Sequence, residues 1–255
     1  MGRKKIAIIT GATGGLGEEF VKQLIFREPD EIWAVARNKE KLERLKAAYG
    51  TKIVPISLDL SKEEKIAQLS KRLLEEKPLI TYLINNAGLA KMSSYRDFSP
   101  EEISRTVDLN CKAPVLLCKY CIPYMERGSR ILNISSASAF QPNPYINLYA
   151  ASKVFERHYS RALNVELKDT GITATAVCPS WVDTDMLIKE KNGKKVHFPG
   201  LVTAERVVRQ AFQDADRGKD MSVCSLYVKI QHLNVKLMPQ RLAMKLWMHG
   251  IKDYI

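Results

Sequence analysis

The stretch Lys4-Lys5-Ile6-Ala7-Ile8-Ile9-Thr10-Gly11-Ala12-Thr13-Gly14-Gly15-Leu16-Gly17 decides how the rest of the chain is read. Its apolar half has the look of a short buried strand. The glycine-rich half is a tight turn, and a helical run follows from Glu18 to Arg27. Strand, glycine turn, helix is the setting a dinucleotide phosphate needs. Glycines let the backbone approach a pyrophosphate, and a helix N-terminus offers free N–H groups at the positive end of a dipole. The spacing here is Gly-x-x-x-Gly-x-Gly, through Gly11, Gly15 and Gly17.

The same alternation continues outward. Glu31–Ala36 reads as a second strand, ending at Arg37, with a helix over Lys39–Ala48. Many NAD-binding folds place an acid here for the adenosine ribose 2′-hydroxyl. This chain offers Arg37, whose planar donor fork suits a 2′-phosphate. Lys52–Leu58 is a third strand ending at Asp59-Leu60-Ser61, with Ser61 expected to cap a helix over Lys62–Glu75 and Glu64 to complete its capping box. Leu79–Asn85 is a fourth strand and runs into Asn86-Ala87-Gly88. Ser99-Pro100-Glu101-Glu102 combines an N-cap, a proline at the first helical position and two dipole-favoured acids. The helix it opens is expected to run past Asn110 to about Tyr124. Arg130–Ser135 is a fifth strand, followed by Ser136-Ala137-Ser138; Asn147–Lys168 is a long helix; Ile172–Val177 is a sixth strand, ending at Cys178-Pro179-Ser180. Ser222–Leu226 is expected to be the last.

Six strand-then-helix units predict an α/β fold, a doubly wound Rossmann-type sheet, mostly or wholly parallel, with helices on both faces. One domain over residues 1–255 is expected. Gly11–Gly17, Arg37, Asp59, Asn86, Ser136 and Pro179 all fall at strand carboxyl ends, where such sheets bind ligands.

On the long helix, Tyr149 and Lys153 are four residues apart and so share a face, about 5–6 Å between Cβ atoms. Free tyrosine titrates near pH ~10. A neighbouring ammonium in a partly dry site favours the phenolate, which makes a proton donor and acceptor for carbonyl and alcohol chemistry.

Composition bounds the alternatives. The chain has 255 residues, 45% of them apolar, which suits an ordinary globular protein. Its five cysteines lack framework spacing, and Cys118-x-x-Cys121 lies in an apolar helical run, so both read as core thiols rather than a redox or metal pair. The apolar run Ile6–Ile9 is too short for a signal peptide, position 6 breaks the myristoylation pattern, and no run is long enough to span a membrane. A cytoplasmic location is expected, with peripheral membrane contact possible. The net charge is +12 and is densest at Lys189–Lys195 and Tyr227–Ile255. Nucleic-acid binding is not expected, since no aromatic-basic motif accompanies the charge. Residues 185–202 look irregular and are a candidate substrate lid. The segment 227–255 interleaves apolar residues with cations. It can lie on a membrane surface, close over an apolar substrate, or cover this chain's core or a partner subunit.

Taken together, Thr10–Gly17, Asp59, Asn85-Asn86-Ala87-Gly88, Asn110, Ser136, Tyr149-x-x-x-Lys153 and Pro179–Thr184 resemble the short-chain dehydrogenase/reductase family, over roughly Lys5–Thr184. The resemblance implies an oxidoreductase that interconverts a ketone or aldehyde and an alcohol by hydride transfer. NADP(H) is favoured on Arg37, with NAD(H) possible. It implies Tyr149 as acid/base, Lys153 as its cationic partner and ribose ligand, Ser136 as the donor to the substrate oxygen and Asn110 as holder of a water. It places the cofactor against Gly11, Thr13, Gly14, Gly15, Leu16, Gly17, Arg37, Asp59, Leu60, Asn86, Ala87, Gly88, Pro179, Val182 and Thr184. Ser138, Tyr145, Ser180 and Met186 are the expected substrate pocket. Ser135 and Ser138 compete with Ser136, and strand alternation points Ser135 and Ser136 to opposite faces. Tyr145 competes with Tyr149 but has no lysine four residues on. Two departures stand out: Ser180 replaces the family's usual glycine, and no basic residue precedes Gly15. Trp181, Met186, Leu187, Phe198 and the tail suggest an apolar or amphipathic substrate, such as a steroid-like or acyl ketone, in a homodimer or homotetramer. A catalytically silent NADP-binding regulatory or scaffold protein is the alternative.

Overall fold

The computed structural model describes residues 2–184, 187, 190–191, 194–195 and 198–252. Six strands alternate with helices: β1 (Lys5–Thr10), α1 (Gly15–Ile25), β2 (Glu31–Ala36), α2 (Lys39–Tyr49), β3 (Ile53–Ser57), α3 (Glu63–Glu76), β4 (Leu79–Asn85), α4 (Pro100–Val107), α5 (Ala113–Cys121), β5 (Arg130–Ile134), α6 (Asn147–Glu166) and β6 (Thr173–Val177). Four two-residue strands follow, β7 (Val182–Asp183), β8 (Glu190–Lys191), β9 (Lys194–Lys195) and β10 (Val202–Thr203); then come α7 (Ala204–Asp216), β11 (Met221–Ser222), α8 (Leu226–Leu237) and α9 (Gln240–Gly250). Among the described residues the main sheet runs β11-β6-β5-β4-β1-β2-β3, and every pairing in it is parallel. It is the expected doubly wound α/β sheet. The strand order reverses at β1, between β4 and β2, which places the ligand crevice at the carboxyl end of β1.

Both faces of the sheet are buried, so the central strands are apolar on both sides. Alternate residues of β1 go to opposite layers: Ala7 and Ile9 join Phe20, Leu24, Val208 and Phe212 of α1 and α7, while Ile6 and Ile8 join Ile66, Leu69, Leu117 and Leu163 of α3, α5 and α6. Phe20 and Phe212 meet edge to face with ring centroids 5.5 Å apart. Cys118 and Cys121 are fully buried in the second layer, as expected, and burial pushes both thiols far up, Cys118 to about 12.

Three elements differ from expectation. Ser61 does not cap α3; its hydroxyl and N–H both donate to Asp59, and Lys62 takes the N-cap position. The helix expected from Pro100 to Tyr124 does form, with Ser99 in a reciprocal capping box with Glu102, but a π turn at Asp108–Lys112 interrupts it. The last strand has only two residues, and Leu226 already starts α8. Of the lid expected at 185–202, part lies outside the described residues.

Candidate active site

At the end of β1 the chain turns at Gly11 with φ +63°, a left-handed conformation that glycine adopts without penalty. Close approach is the stronger constraint. A Cβ on Gly17 would stand 2.1 Å from the Gly11 carbonyl oxygen, and one on Gly11 would stand 2.9 Å from the Ala87 Cα. The start of the loop after β4 clamps this turn. The Asn86 side-chain amide donates to the Thr10 and Gly11 carbonyls, each at 3.1 Å, and the Thr10 hydroxyl accepts the N–H groups of Asn86 and Ala87. Gly14 is the N-cap of α1 and brings no side-chain hydrogen bond among the described residues. The first-turn N–H groups of that helix are therefore available to an anion. Thr13 and Leu16 flank the turn half-buried, Gly14 and Gly15 are exposed, and a Cβ on Gly15 would meet Thr184 Cγ2 at 2.7 Å. Thr184, just past Val182 and β7, thus lies over the turn. A pyrophosphate fits a glycine cradle that is open on one side and rigid beneath.

Arg37 is exposed at the end of β2, and its charge is felt by Asp59 at the end of β3. Partial burial raises the Asp59 carboxyl, but the Ser61 hydrogen bonds, with Arg105 and Arg37, hold it below its ordinary range. Leu60 is buried beside it.

The second half of the site is built on α6. Lys153 is 4% exposed, and its Nζ donates to the Ile134 carbonyl at 2.6 Å and to Glu156 Oε2 at 2.7 Å. That Nζ lies 5.7 Å from the centroid of the Tyr149 ring. Burial disfavours the Lys153 ammonium, yet Glu156 and Tyr149 outweigh it and keep its pKa above the ordinary lysine value. Ser135 and Ser136 point apart as alternation requires: Ser135 is buried and donates to the Lys153 carbonyl at 2.7 Å, whereas the Ser136 hydroxyl accepts from Ser138 N–H at 3.1 Å. The Ser138 hydroxyl is buried without a partner among the described residues.

Asn110 sits in the π turn, fully buried. Its Oδ1 accepts from Leu89 N–H, and its Nδ2 donates to the Leu89 carbonyl and to Ser152 Oγ, which in turn donates to the Tyr149 carbonyl. The Asn110 side chain is thus committed to holding α6 and the loop after β4. A Cβ on Gly88 would lie 3.4 Å from Asn110 Oδ1 and 3.5 Å from Lys153 Nζ, so these three converge. The Pro179 carbonyl accepts from Ala137 N–H at 2.8 Å and ties the end of β6 to the Ser136 turn. Tyr145 holds φ +65°, and its carbonyl accepts from Ser93 N–H. Ser180 and Tyr227 both approach Gly200, which brings the start of α8 beside Ser180, and Trp181 faces Phe198 at 5.2 Å between ring centroids. Met186 lies outside the described residues.

Three residues of this site were not singled out by sequence: Thr10, Ser152 and Glu156. For Glu156 the signal was there, since it stands seven residues after Tyr149 and three after Lys153, on the same helical face.

A glycine turn at the start of α1 and a Tyr–Lys pair at the carboxyl ends of one parallel sheet fit one class, the nicotinamide-dependent oxidoreductases acting on CH–OH and C=O groups. The short chain dehydrogenase profile matches residues 5–195, and this chain belongs to that family. It is 32% identical over 223 residues to the 17-beta-hydroxysteroid dehydrogenase type 3 of Danio rerio, covering 82% of this chain and 69% of that protein. The solved short-chain dehydrogenase of Sphingobium yanoikuyae, in complex with NADPH, superposes with a TM-score of 0.77 at 28% identity, covering 94% of this chain and 95% of that one. The bulky-bulky ketone specific alcohol dehydrogenase of Comamonas testosteroni superposes with a TM-score of 0.74 at 27% identity, covering 93% of each.

Gly17→Ala forces the turn away from its clamp. It is expected to weaken NADPH binding roughly tenfold or more, read by fluorescence titration, with an unchanged far-ultraviolet circular dichroism spectrum.

Proposed function

We propose that this chain is an NADP(H)-dependent carbonyl reductase and alcohol dehydrogenase in which Tyr149 is the acid/base. The observation that supports it is the assembly, on one face of α6, of Tyr149 beside a buried Lys153 ammonium, with Ser136 at the adjoining strand end. Bound NADPH supplies the hydride. The chain supplies the rest. Ser136, which accepts from Ser138 N–H, keeps its hydroxyl hydrogen to donate to the substrate oxygen. Tyr149 gives its phenolic proton to that oxygen as negative charge develops there, and takes one back in the oxidative direction. The Lys153 ammonium stabilises the phenolate left behind. The first turn of α1 binds the pyrophosphate, and Arg37 takes the 2′-phosphate. Asn110, through Ser152, holds α6 against the loop that carries Asn86 and Gly88.

The substrate we propose is apolar or amphipathic. Trp181 packs on Phe198, Tyr227 meets Gly200 beside Ser180, and two relatives act, by their names, on a hydroxysteroid and on bulky ketones. A silent NADP-binding scaffold would have no use for a buried, paired ammonium beside a tyrosine, because burying a charge is costly. A further contact is supported by the tail. Leu226, Ile230, Leu233 and Leu237 form an exposed stripe along α8, with Leu242 and Leu246 exposed on α9, among Lys229, Lys236, Arg241 and Lys245. Val228 and Ala243 are buried, and Trp247 donates to the Pro144 carbonyl, so the other face of these helices covers the fold. The outer face suits an anionic lipid surface. Among the described residues no helix is long and apolar enough to cross a membrane.

Tyr149→Phe should retain NADPH affinity and lose ketone reduction by ~10²–10⁴-fold; activity near wild type would remove Tyr149 as the acid. Arg37→Ala should weaken NADPH ~10–100-fold and NADH far less, and equal losses in the two dissociation constants would defeat the 2′-phosphate assignment. In sedimentation assays the protein should bind vesicles containing phosphatidylserine and leave neutral ones in solution, and Leu233→Glu with Leu237→Glu should abolish that binding.

A further inference from the structure

Tyr149, Lys153, Glu156 and Ser160 stand at i, i+4, i+7 and i+11 on α6, a single column running from the candidate site into the protein. Three of the four, Lys153, Glu156 and Ser160, are buried, at 4%, 1% and 0% exposure. A carboxylate this deep is rare unless it is paired. Glu156 is paired with the very lysine that serves Tyr149, Oε2 to Nζ at 2.7 Å. We propose that Glu156 is a positioning residue of this site: its carboxylate holds the Lys153 ammonium in place and sets the net charge against which Tyr149 ionises. The proposal rests on Tyr149 being the acid/base.

The geometry leaves Lys153 little freedom. Its ammonium is fixed between the Ile134 carbonyl at the end of β5 and the Glu156 carboxylate on its own helix, and the remaining direction faces Tyr149. The other titratable groups that sense Glu156 are thiols: Cys111 in the π turn, Cys118 on α5 and Cys178 after β6. Burial raises all three, so they are neutral near pH 7. Arg157 turns away, its guanidinium 5.0 Å from the centroid of the Phe140 ring. The local balance is therefore Lys153 against Glu156. Burial pushes the Glu156 carboxyl up to about 7 against the pull of Lys153. With Glu156 ionised the pair is neutral, and the phenolate gains less than it would from an uncompensated ammonium. With Glu156 neutral the pair carries +1, and the phenolate gains more. Groups coupled this closely titrate as one unit. Removing the negative charge makes that unit release its proton at lower pH, whichever member carries it.

Tyrosinate absorbance near 295 nm reads this without turnover. The test titrates the wild type, Tyr149→Phe, Glu156→Gln and the Tyr149→Phe/Glu156→Gln double variant, and in each background the difference made by Tyr149→Phe isolates Tyr149. Glu156→Gln should move the Tyr149 midpoint down by about one pH unit, a tenfold change, as expected for a unit charge removed two helical turns away. The pH at which kcat/KM for alcohol oxidation rises should move down by the same amount, and Glu156→Asp should return both toward wild type. Should Gln leave the protein unfolded by circular dichroism, Glu156→Leu removes the charge without placing an amide beside Lys153 and is read in the same way. A midpoint that stays put or moves up in a folded variant overturns the proposal. A wild type that binds NADPH and turns over no ketone or alcohol defeats the oxidoreductase reading instead, and the absorbance titration still decides the role of Glu156.

Discussion

A lysine ammonium kept charged away from water is the constraint around which the site is arranged. Lys153 is 4% exposed, and leaving such a charge unpaired would cost several kcal/mol. Its compensation comes from two directions, the Ile134 carbonyl at the end of β5 and the Glu156 carboxylate one turn further along α6. The Glu156 contact is internal to α6, whereas the Ile134 contact requires the helix to cross the sheet at one height. That height is fixed by Ser135 on the Lys153 carbonyl and by the Asn110–Ser152–Tyr149 chain from the π turn. A π turn widens the helix by one residue. Here it sets the Asn110 side chain between the loop after β4 and α6.

The other half of the site follows from packing without side chains. A Cβ on Gly17 would strike the Gly11 carbonyl and one on Gly11 would strike Asn86 and Ala87, and Asn86 and Thr10 tie the turn to the end of β4. Asn86 thereby links the two halves. Two residues on, Gly88 faces Asn110 and Lys153, so a single short loop touches both the glycine turn and the ammonium. The apolar layers on either side of β1 hold these loops in register, because alternate residues of that strand anchor to different helices.

Much of this was legible in the chain itself. The strand and turn over Lys5–Gly17 were readable because a fully apolar strand followed by glycines has few other uses. Ser99 announced itself as an N-cap through Pro100 and the acids that follow, and the opposed directions of Ser135 and Ser136 followed from strand alternation. What escaped depended on competition between local partners. Ser61 resembles an N-cap, but its hydroxyl is drawn to Asp59, two residues earlier. Leu226, at the end of an apolar run, continues as a helix because α8 packs Val228 inward and leaves the strand only two residues long. The π turn has no composition signature, since Asp108–Lys112 is as helical in type as its neighbours. Glu156 was hidden by its charge: a glutamate on a helix ordinarily faces solvent, and only the burial of Lys153 gives it a reason to turn inward.

The measurement that bears most directly on the account is isotope transfer from NADPH carrying two deuterium atoms at nicotinamide C4. Incubated with bulky ketones and the wild-type protein, it should deliver one deuterium to the carbinol carbon of the alcohol, seen as a one-mass-unit gain, and the Tyr149→Phe protein should form that product at a rate lower by orders of magnitude. Tight NADPH binding with no deuterium in any alcohol across a broad ketone panel would contradict it.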